Sequence, residues 1–447
     1  MKDKIKAFFA NDKMKAVASF FKRLKQKAKT LLATDSMKAV ISSLFCIVAG
    51  ILVGFVVLVI LALTSDKIPF SDAFSGLGII LAGPFASGGA KNTLFVLGDM
   101  FFESAPLLLT GLSVAIAFKT GLFNIGAPGQ YLMGAMTSVI VALSIPTTNG
   151  GAFWVWLLAL IAGMLAGMLW GLIPGFFKAF LNVNEVIVCI MTNWIAANVV
   201  SWVFYNNKQF INTAGGKTAY TLPTTANGVF TPKLGLNKLF PGSNIDIGIF
   251  IAILVAVGIY VLMNKTTLGY ELKACGHNKN AAKYAGMNEK RNIMLSMAIA
   301  GGLAALGASL YYLNGGAELA WNTYGKLPDN GFNGIPVALL ASNNPLGVIF
   351  SSIFLRYIDK GGYNLAGFTA YNEYVSDLII AVIIYFAGFS MLIRDMITRL
   401  RAKAAESRAE KAVADGAMED ATVGEPGDEA AEQGDLTEKN TKEEEDV

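Results

Sequence analysis

The chain has 447 residues, of which 54% are hydrophobic and only 15% charged, with a mean hydropathy of +0.51. An ordinary soluble protein carries about a quarter of its residues as charges, so a soluble fold of this length is excluded and lipid is the expected solvent. The net charge of +4 conceals a lysine-rich beginning and an acidic end. The basic beginning is read as orienting a first span and touching anionic membrane lipid, not as binding nucleic acid.

Residues 1–38 carry eleven lysines and arginines and are expected to be a basic cytoplasmic segment. The first apolar run, 39–63, starts too late and is too long for a cleavable signal peptide, so it is expected to be a retained span. Further runs near the roughly 20 residues that the hydrocarbon demands follow at 94–118, 122–145, 153–177, 186–205, 245–263, 293–313 and 378–393. The stretch 331–357 is apolar but interrupted by Asn343, Asn344 and Pro345, and is read as two short halves, 331–342 and 346–357, meeting at a turn. The expectation is an all-α polytopic membrane helix bundle of about ten transmembrane segments, with broken helices, occupying 39–397. Residues 398–447 are expected to be a charged, largely disordered cytoplasmic tail.

Orientation follows from lysine and arginine. A cytoplasmic N-terminus and ten crossings return Arg394, Arg399, Arg401 and Lys403 to the cytoplasm. The loop 264–292, with Lys265, Lys273, Lys279, Lys283, Lys290 and Arg291, falls on the same side. Arg356 and Lys360 fall outside, against the rule. The stretch 206–244, rich in Thr, Asn, Gly and Pro, becomes the largest external loop and is expected to be irregular.

Several chemistries can be set aside. Cys46, Cys189 and Cys275 show no metal or disulfide spacing, and the one histidine, His277, has no second histidine to share a metal. No cofactor or metal is expected. Gly215-Gly216-Lys217-Thr218 looks like the end of a phosphate-binding loop, but the position that must be glycine is Ile211. The chain is not expected to be an enzyme, and any ATPase must be another chain. Acidic residues are scarce within the runs: Asp99 and Glu103 sit near one end of 94–118, and Glu185 and Asp377 at the edges of theirs. That weakens an ion-coupled secondary transporter without removing it.

Residues 111–135 read GLSVAIAFKTGLFNIGAPGQYLMGA. Gly121, Gly126, Gly129 and Pro128 interrupt helical hydrogen bonding, and Asn124 and Gln130 are amides able to donate and accept. Broken backbone at membrane depth is tolerated only against protein or a water-filled cavity. Two readings stand: a pathway-lining or gating element, or a tight turn with polar caps.

This stretch resembles the signature of importer permeases of the branched-chain amino acid, ribose and nucleoside superfamily. A GLFNIG-x-x-GQ segment after GLS-x-A-x-AF is typical of its nucleoside and simple-sugar branch; Pro128 stands here where Glu is common. A second match is the loop 267–291. There Gly269, Ala274, Gly276, Asn278, Ala281, Ala282, Tyr284, Ala285 and Gly286 fit the family's pattern, and the resemblance implies that they couple to an ATPase. A third is GFNGIPVALLASNNPLG at 331–347. The resemblance implies a permease subunit of an ATP-binding-cassette importer in the plasma membrane. It also implies a separate cytoplasmic ATPase, a second related permease and an extracytoplasmic solute-binding protein. Nucleosides are the expected cargo. Simple sugars, branched-chain amino acids, an ion-coupled secondary transporter and a scaffold without a pathway are the alternatives. Asn124, Gly126, Gly129, Gln130, Asn193 and Asn333 are the candidate pathway residues. Asn193 and Asn198, with Trp194 and Trp202, either line a nucleoside path or mark the membrane interface. Gly163, Gly167, Gly171 and Gly175 form a close-packing face, toward either a helix of the same chain or a second permease.

Overall fold

The computed structural model describes residues 35–389, except 66, 148–150, 214, 323–325 and 373, and beyond them only 396, 399, 400, 403 and 407. Most of the basic N-terminal segment and of the acidic tail lies outside the described residues. The chain divides into two units, Met1–Arg394 and Asp395–Val447. The first contains all the architecture described below.

Among its described residues the regular structure is helical, apart from one small hairpin. In chain order the described helices are α1 (Asp35–Thr64), α2 (Ser71–Ala82), α3 (Ala90–Lys119), α4 (Ala127–Ser144), α5 (Ala152–Leu181), α6 (Glu185–Asn206), α7 (Leu236–Leu239) and α8 (Gly248–Lys265). They continue as α9 (Thr267–His277), α10 (Lys279–Tyr284), α11 (Glu289–Tyr312), α12 (Asp329–Phe332), α13 (Gly334–Leu340), α14 (Pro345–Phe368) and α15 (Tyr374–Gly388). Six of them, α1, α3, α5, α6, α8 and α11, are long and apolar enough to cross a membrane. The pair α12–α13 and α14, bent by 120° at its break, makes a seventh candidate. Within its described residues each apolar run of the sequence falls mainly on a helix or on this bent pair, but length and apolarity alone establish the smaller number.

Burial sorts the spans. The apolar windows of α3 and α11 are each 83% buried, against 22% for α1, so α3 and α11 form the centre. Small residues make this possible. Gly167 of α5 lies against Ala305 and the Gly301 carbonyl, and Gly171 against the Met297 carbonyl, so a Cβ at either position would overlap α11. The glycine stripe is therefore occupied inside the chain, and of its two possible partners the structure selects the intrachain one. On the far face of α5, Trp154, Leu158, Leu165 and Leu169 are exposed, as lipid-facing side chains are.

The break at 341–344 is chemical. Ser342 and Asn343 adopt left-handed φ values of 50° and 58°, Asn344 accepts from the Leu346 amide, and Pro345 opens α14, where its missing N–H is no loss. Two features had no counterpart in the sequence reading. The short helix α2 continues into a 3-10 turn at Gly83–Ala86. The Gly83 carbonyl there accepts from Asn364 (2.9 Å) and the Leu81 carbonyl from the Tyr357 hydroxyl (2.8 Å). The stretch 206–244, expected to be irregular, holds a hairpin of β1 (Ile211–Asn212) and β2 (Lys217–Thr221). Glu318 fastens it by accepting from Lys217 and Asn212. The phosphate-loop lookalike is the turn and second strand of that hairpin.

Candidate translocation site and coupling loop

The interrupted stretch after α3 is a buried joint. α3 ends at Lys119, and Gly121 turns the chain with φ +72°. Asn124 and Gln130 are both fully buried. The Asn124 amide donates to Gln130 Oε1 (2.8 Å) and Ser113 Oγ (3.0 Å), and Gln130 Nε2 donates back to Asn124 Oδ1 (3.1 Å). Pro128 sits in the first turn of α4, a position that tolerates it. Asn193 of α6 closes the joint from the other side. Its Oδ1 accepts from the Gly129 amide (2.9 Å) and its Nδ2 donates to the Ile125 carbonyl (2.9 Å). Gly126 and Gly129 have room only because they lack a Cβ: one at Gly126 would stand 3.0 Å from Cys189 Sγ, and one at Gly129 2.9 Å from Asn193 Cα. Five of the six pathway candidates are thus gathered at one junction of α3, α4 and α6, with their polar atoms turned to one another.

The sixth, Asn333, lines a different space. A cavity of about 750 Å³ opens between α3, α4, α11, the α12–α13 segment, α14 and α15. Three tyrosines wall it, Tyr131, Tyr311 and Tyr312, and Tyr311 stacks on Phe102 with ring centroids 5.2 Å apart. The same lining holds a network of charge. Lys360 Nζ lies 2.8 Å from Glu103 Oε1, Arg356 Nη1 lies 3.0 Å from Asp359 and 4.0 Å from Glu103, and Arg356 Nη2 donates to Asn330 Oδ1 at 2.6 Å. A smaller space of about 330 Å³ adjoins Asn193, Trp194 and Ile125 and shares Lys326, Asp329 and Phe332 with the large one. Asn198 is exposed and donates to its own helix at the Trp194 carbonyl, while Trp194 and Trp202 point outward.

The charge network escaped the sequence reading for a definite reason. The run 346–357 stops short, but α14 continues to Phe368, so Arg356 and Lys360 belong to the bundle and not to an outer loop. α3 likewise starts at Ala90, ahead of its apolar run, which puts Glu103 near the helix middle. The available signal was the one-turn spacing of Arg356, Asp359 and Lys360 along a helix.

The loop 267–291 folds into α9 and α10. Asn278 caps α10 by accepting from the Ala281 amide (3.0 Å). Gly286 ends it at φ +81°, with the Met287 amide returning to the Ala282 carbonyl (3.1 Å). Ala282 is buried, while Ala281, Ala285 and Gly286 are open and Tyr284 is 93% exposed. A cleft of about 830 Å³ runs beside them, lined by Thr267, Tyr270, Gly286 and Arg291. Gly276, at the end of α9, lies against the backbone of Lys119, Thr120 and Gly121.

Among the described residues no group of three or more His, Cys, Asp or Glu is arranged to hold a metal ion. Residues 96–388 match the family of branched-chain amino acid transport system permease components. The chain is 34% identical over 317 residues to the guanosine ABC transporter permease protein NupP of Bacillus subtilis, covering 71% of this chain and 88% of that one. It is 33% identical to the nucleoside ABC transporter permease protein NupB of Lactococcus lactis, covering 73% and 87%. It is 30% identical to the glucose ABC transporter permease protein TsgB13 of Haloferax volcanii, covering 65% and 76%. No solved structure gives a significant match. The chain belongs to the branched-chain amino acid transport system permease component family, and is a multi-pass membrane transport permease, not an enzyme.

Proposed function

We propose that this chain is the membrane-spanning permease subunit of an ATP-binding-cassette importer that carries nucleosides across the plasma membrane. The observation that carries the proposal is the likeness to NupP and NupB along most of both chains. The cavity supports it: tyrosine rings suited to packing on a flat base share its lining with amides and charges able to bond hydroxyls and ring nitrogens. Asn333 is the candidate most directly on this path. Asn124, Gly126, Gly129, Gln130 and Asn193 act on it through the joint they form. TsgB13 supports a second reading with a simple sugar as cargo.

In this proposal the chain has ten membrane segments, namely α1, α3, α4, α5, α6, α8, α11, α12–α13, α14 and α15, with both termini cytoplasmic. Residues 39–397 are the permease domain, flanked by the basic segment 1–38 and the tail 398–447. Gly276, Asn278, Ala281, Ala282, Tyr284, Ala285 and Gly286 form the element that seats on a separate ATPase. A solute-binding protein delivers cargo from outside. A second related permease covers the face at Lys326 and Asp329, whose side chains are 78% and 65% exposed; charges on a bundle of apolar helices require protein or water, not lipid.

The test is uptake of labelled guanosine, uridine and ribose by cells lacking this chain, then restored with the wild type or with Gly286→Arg. Loss of guanosine or uridine uptake on deletion is expected, with rescue by wild type alone, because an arginine at φ +81° is strained and enlarges the docking surface. Loss confined to ribose favours the sugar reading, and unchanged uptake of all three refutes both.

A further inference from the structure

The cytoplasmic loop and the wall of the cavity are joined by one stiff piece of chain, residues 119–130, through contacts made backbone to backbone. At the lower end, a Cβ on Gly276 would stand 2.8 Å from Thr120 C and 2.9 Å from Gly121 N, and one on Gly121 would stand 3.1 Å from both Gly276 Cα and its carbonyl oxygen. At the upper end, a Cβ on Gly331 would stand 2.8 Å from Pro128 N. Gly331 is flanked by Asn330, which holds Arg356, and lies two residues from Asn333. Both of these asparagines line the large cavity. Between the two ends, the Asn124–Gln130 exchange and the Ser113 and Asn193 bonds tie the segment to α3 and α6.

We infer that Gly276 and Gly331 are positioning residues: through residues 119–130 they transmit displacement of the coupling loop to the Asn330–Asn333 wall of the cavity. The inference rests on the proposed role of 267–291 in ATPase coupling. Its physical basis is the kind of contact involved. Side chains meeting side chains absorb a small displacement by changing rotamer, whereas backbone against backbone has no such freedom, and packed interiors yield little. The segment also has the internal bonds needed to move as a unit, since each buried amide would lose a partner if it deformed. An added methyl at Gly331 separates the surfaces without altering any group assigned to solute or ATPase, and one at Gly276 is directed at the Lys119–Gly121 backbone.

The test uses the complex purified from membranes through a tag on this full-length chain, reconstituted in liposomes, with guanosine uptake and ATP hydrolysis measured together. For Gly331→Ala, hydrolysis is expected within about twofold of wild type while guanosine moved per ATP falls at least tenfold; for Gly276→Ala, which lies in the docking element itself, guanosine moved per ATP is expected to fall at least tenfold whatever the hydrolysis rate. Gly258→Ala, where nothing lies within 4 Å of the added methyl, is expected to keep the wild-type ratio. An unchanged ratio in both test variants overturns the inference. So does loss of the ATPase from both complexes, because the contacts would then serve assembly alone. A wild-type complex that carries no ATPase overturns the coupling role of the loop, and this inference with it.

Discussion

Asn124 illustrates how a polar residue can be conspicuous in a sequence and still conceal its role. Its amide is fully buried and hydrogen-bonded on three counts, to Ser113 once and to Gln130 twice. Replacing it with leucine leaves Gln130 and Ser113 without those partners, at about 1–3 kcal/mol for each buried group left unsatisfied. The expected result for Asn124→Leu is a lower thermal midpoint of the purified chain in detergent, with a smaller loss for Ser113→Ala. Asp246, ahead of α8, makes a second residue-scale prediction. Burial pushes its carboxyl up to about 6, while hydrogen bonds from Asn314 and the Gly248 amide pull the other way. A carboxyl whose pKa is raised on folding favours the folded state most below the unfolded value near 4, and that contribution is lost as pH rises through about 6. The chain is therefore expected to be more stable at pH 5 than at pH 7.5, by about 1.4 kcal/mol from this group, the linkage of the one unit between pH 5 and about 6. Asp246→Asn should flatten the difference in a melting series.

Elements were legible where their chemistry is local. The turn before α14 could be read from Asn343, Asn344 and Pro345 because left-handed asparagines and a helix-opening proline act within a few residues. The ends of the broken joint were readable for the same reason. What the sequence concealed depends on distance along the chain. α2 is a short apolar stretch whose turn is completed by Tyr357 and Asn364, well over 200 residues away, and no window along the chain contains both sides. The glycine stripe of α5 lay between these cases: its spacing announced a contact but not a partner, which the small residues of α11 supply. This gives an element-scale prediction. Gly167→Leu must push α5 off α11 through backbone and Ala305, and is expected to abolish accumulation of folded chain in the membrane, as overpacking at a main-chain contact does. Gly258→Ala, a helical position with open space, is expected to leave the melting temperature unchanged or slightly raised.

At the scale of the whole molecule, the question is why an apolar bundle holds charge at its centre. Glu103 and Lys360 come from helices 257 residues apart in sequence, and their side chains are only 27% and 16% exposed. Such a pair contributes little net stability compared with well-packed apolar residues, yet breaking it from one side is expensive, about 3–5 kcal/mol where burial is complete. Two roles therefore make different predictions. If the charges only hold α3 to α14, Glu103→Gln should destabilise, and Glu103→Gln with Lys360→Met should recover both stability and transport. If they also bond cargo, the double variant should recover stability but not transport. The placement around a tyrosine-walled cavity favours the second outcome. Melting temperature is expected to return to within a few degrees of wild type in the double variant, while guanosine uptake stays at least tenfold down. Recovery of uptake together with stability would assign the network to the scaffold and leave the tyrosines and asparagines as the groups that meet the solute.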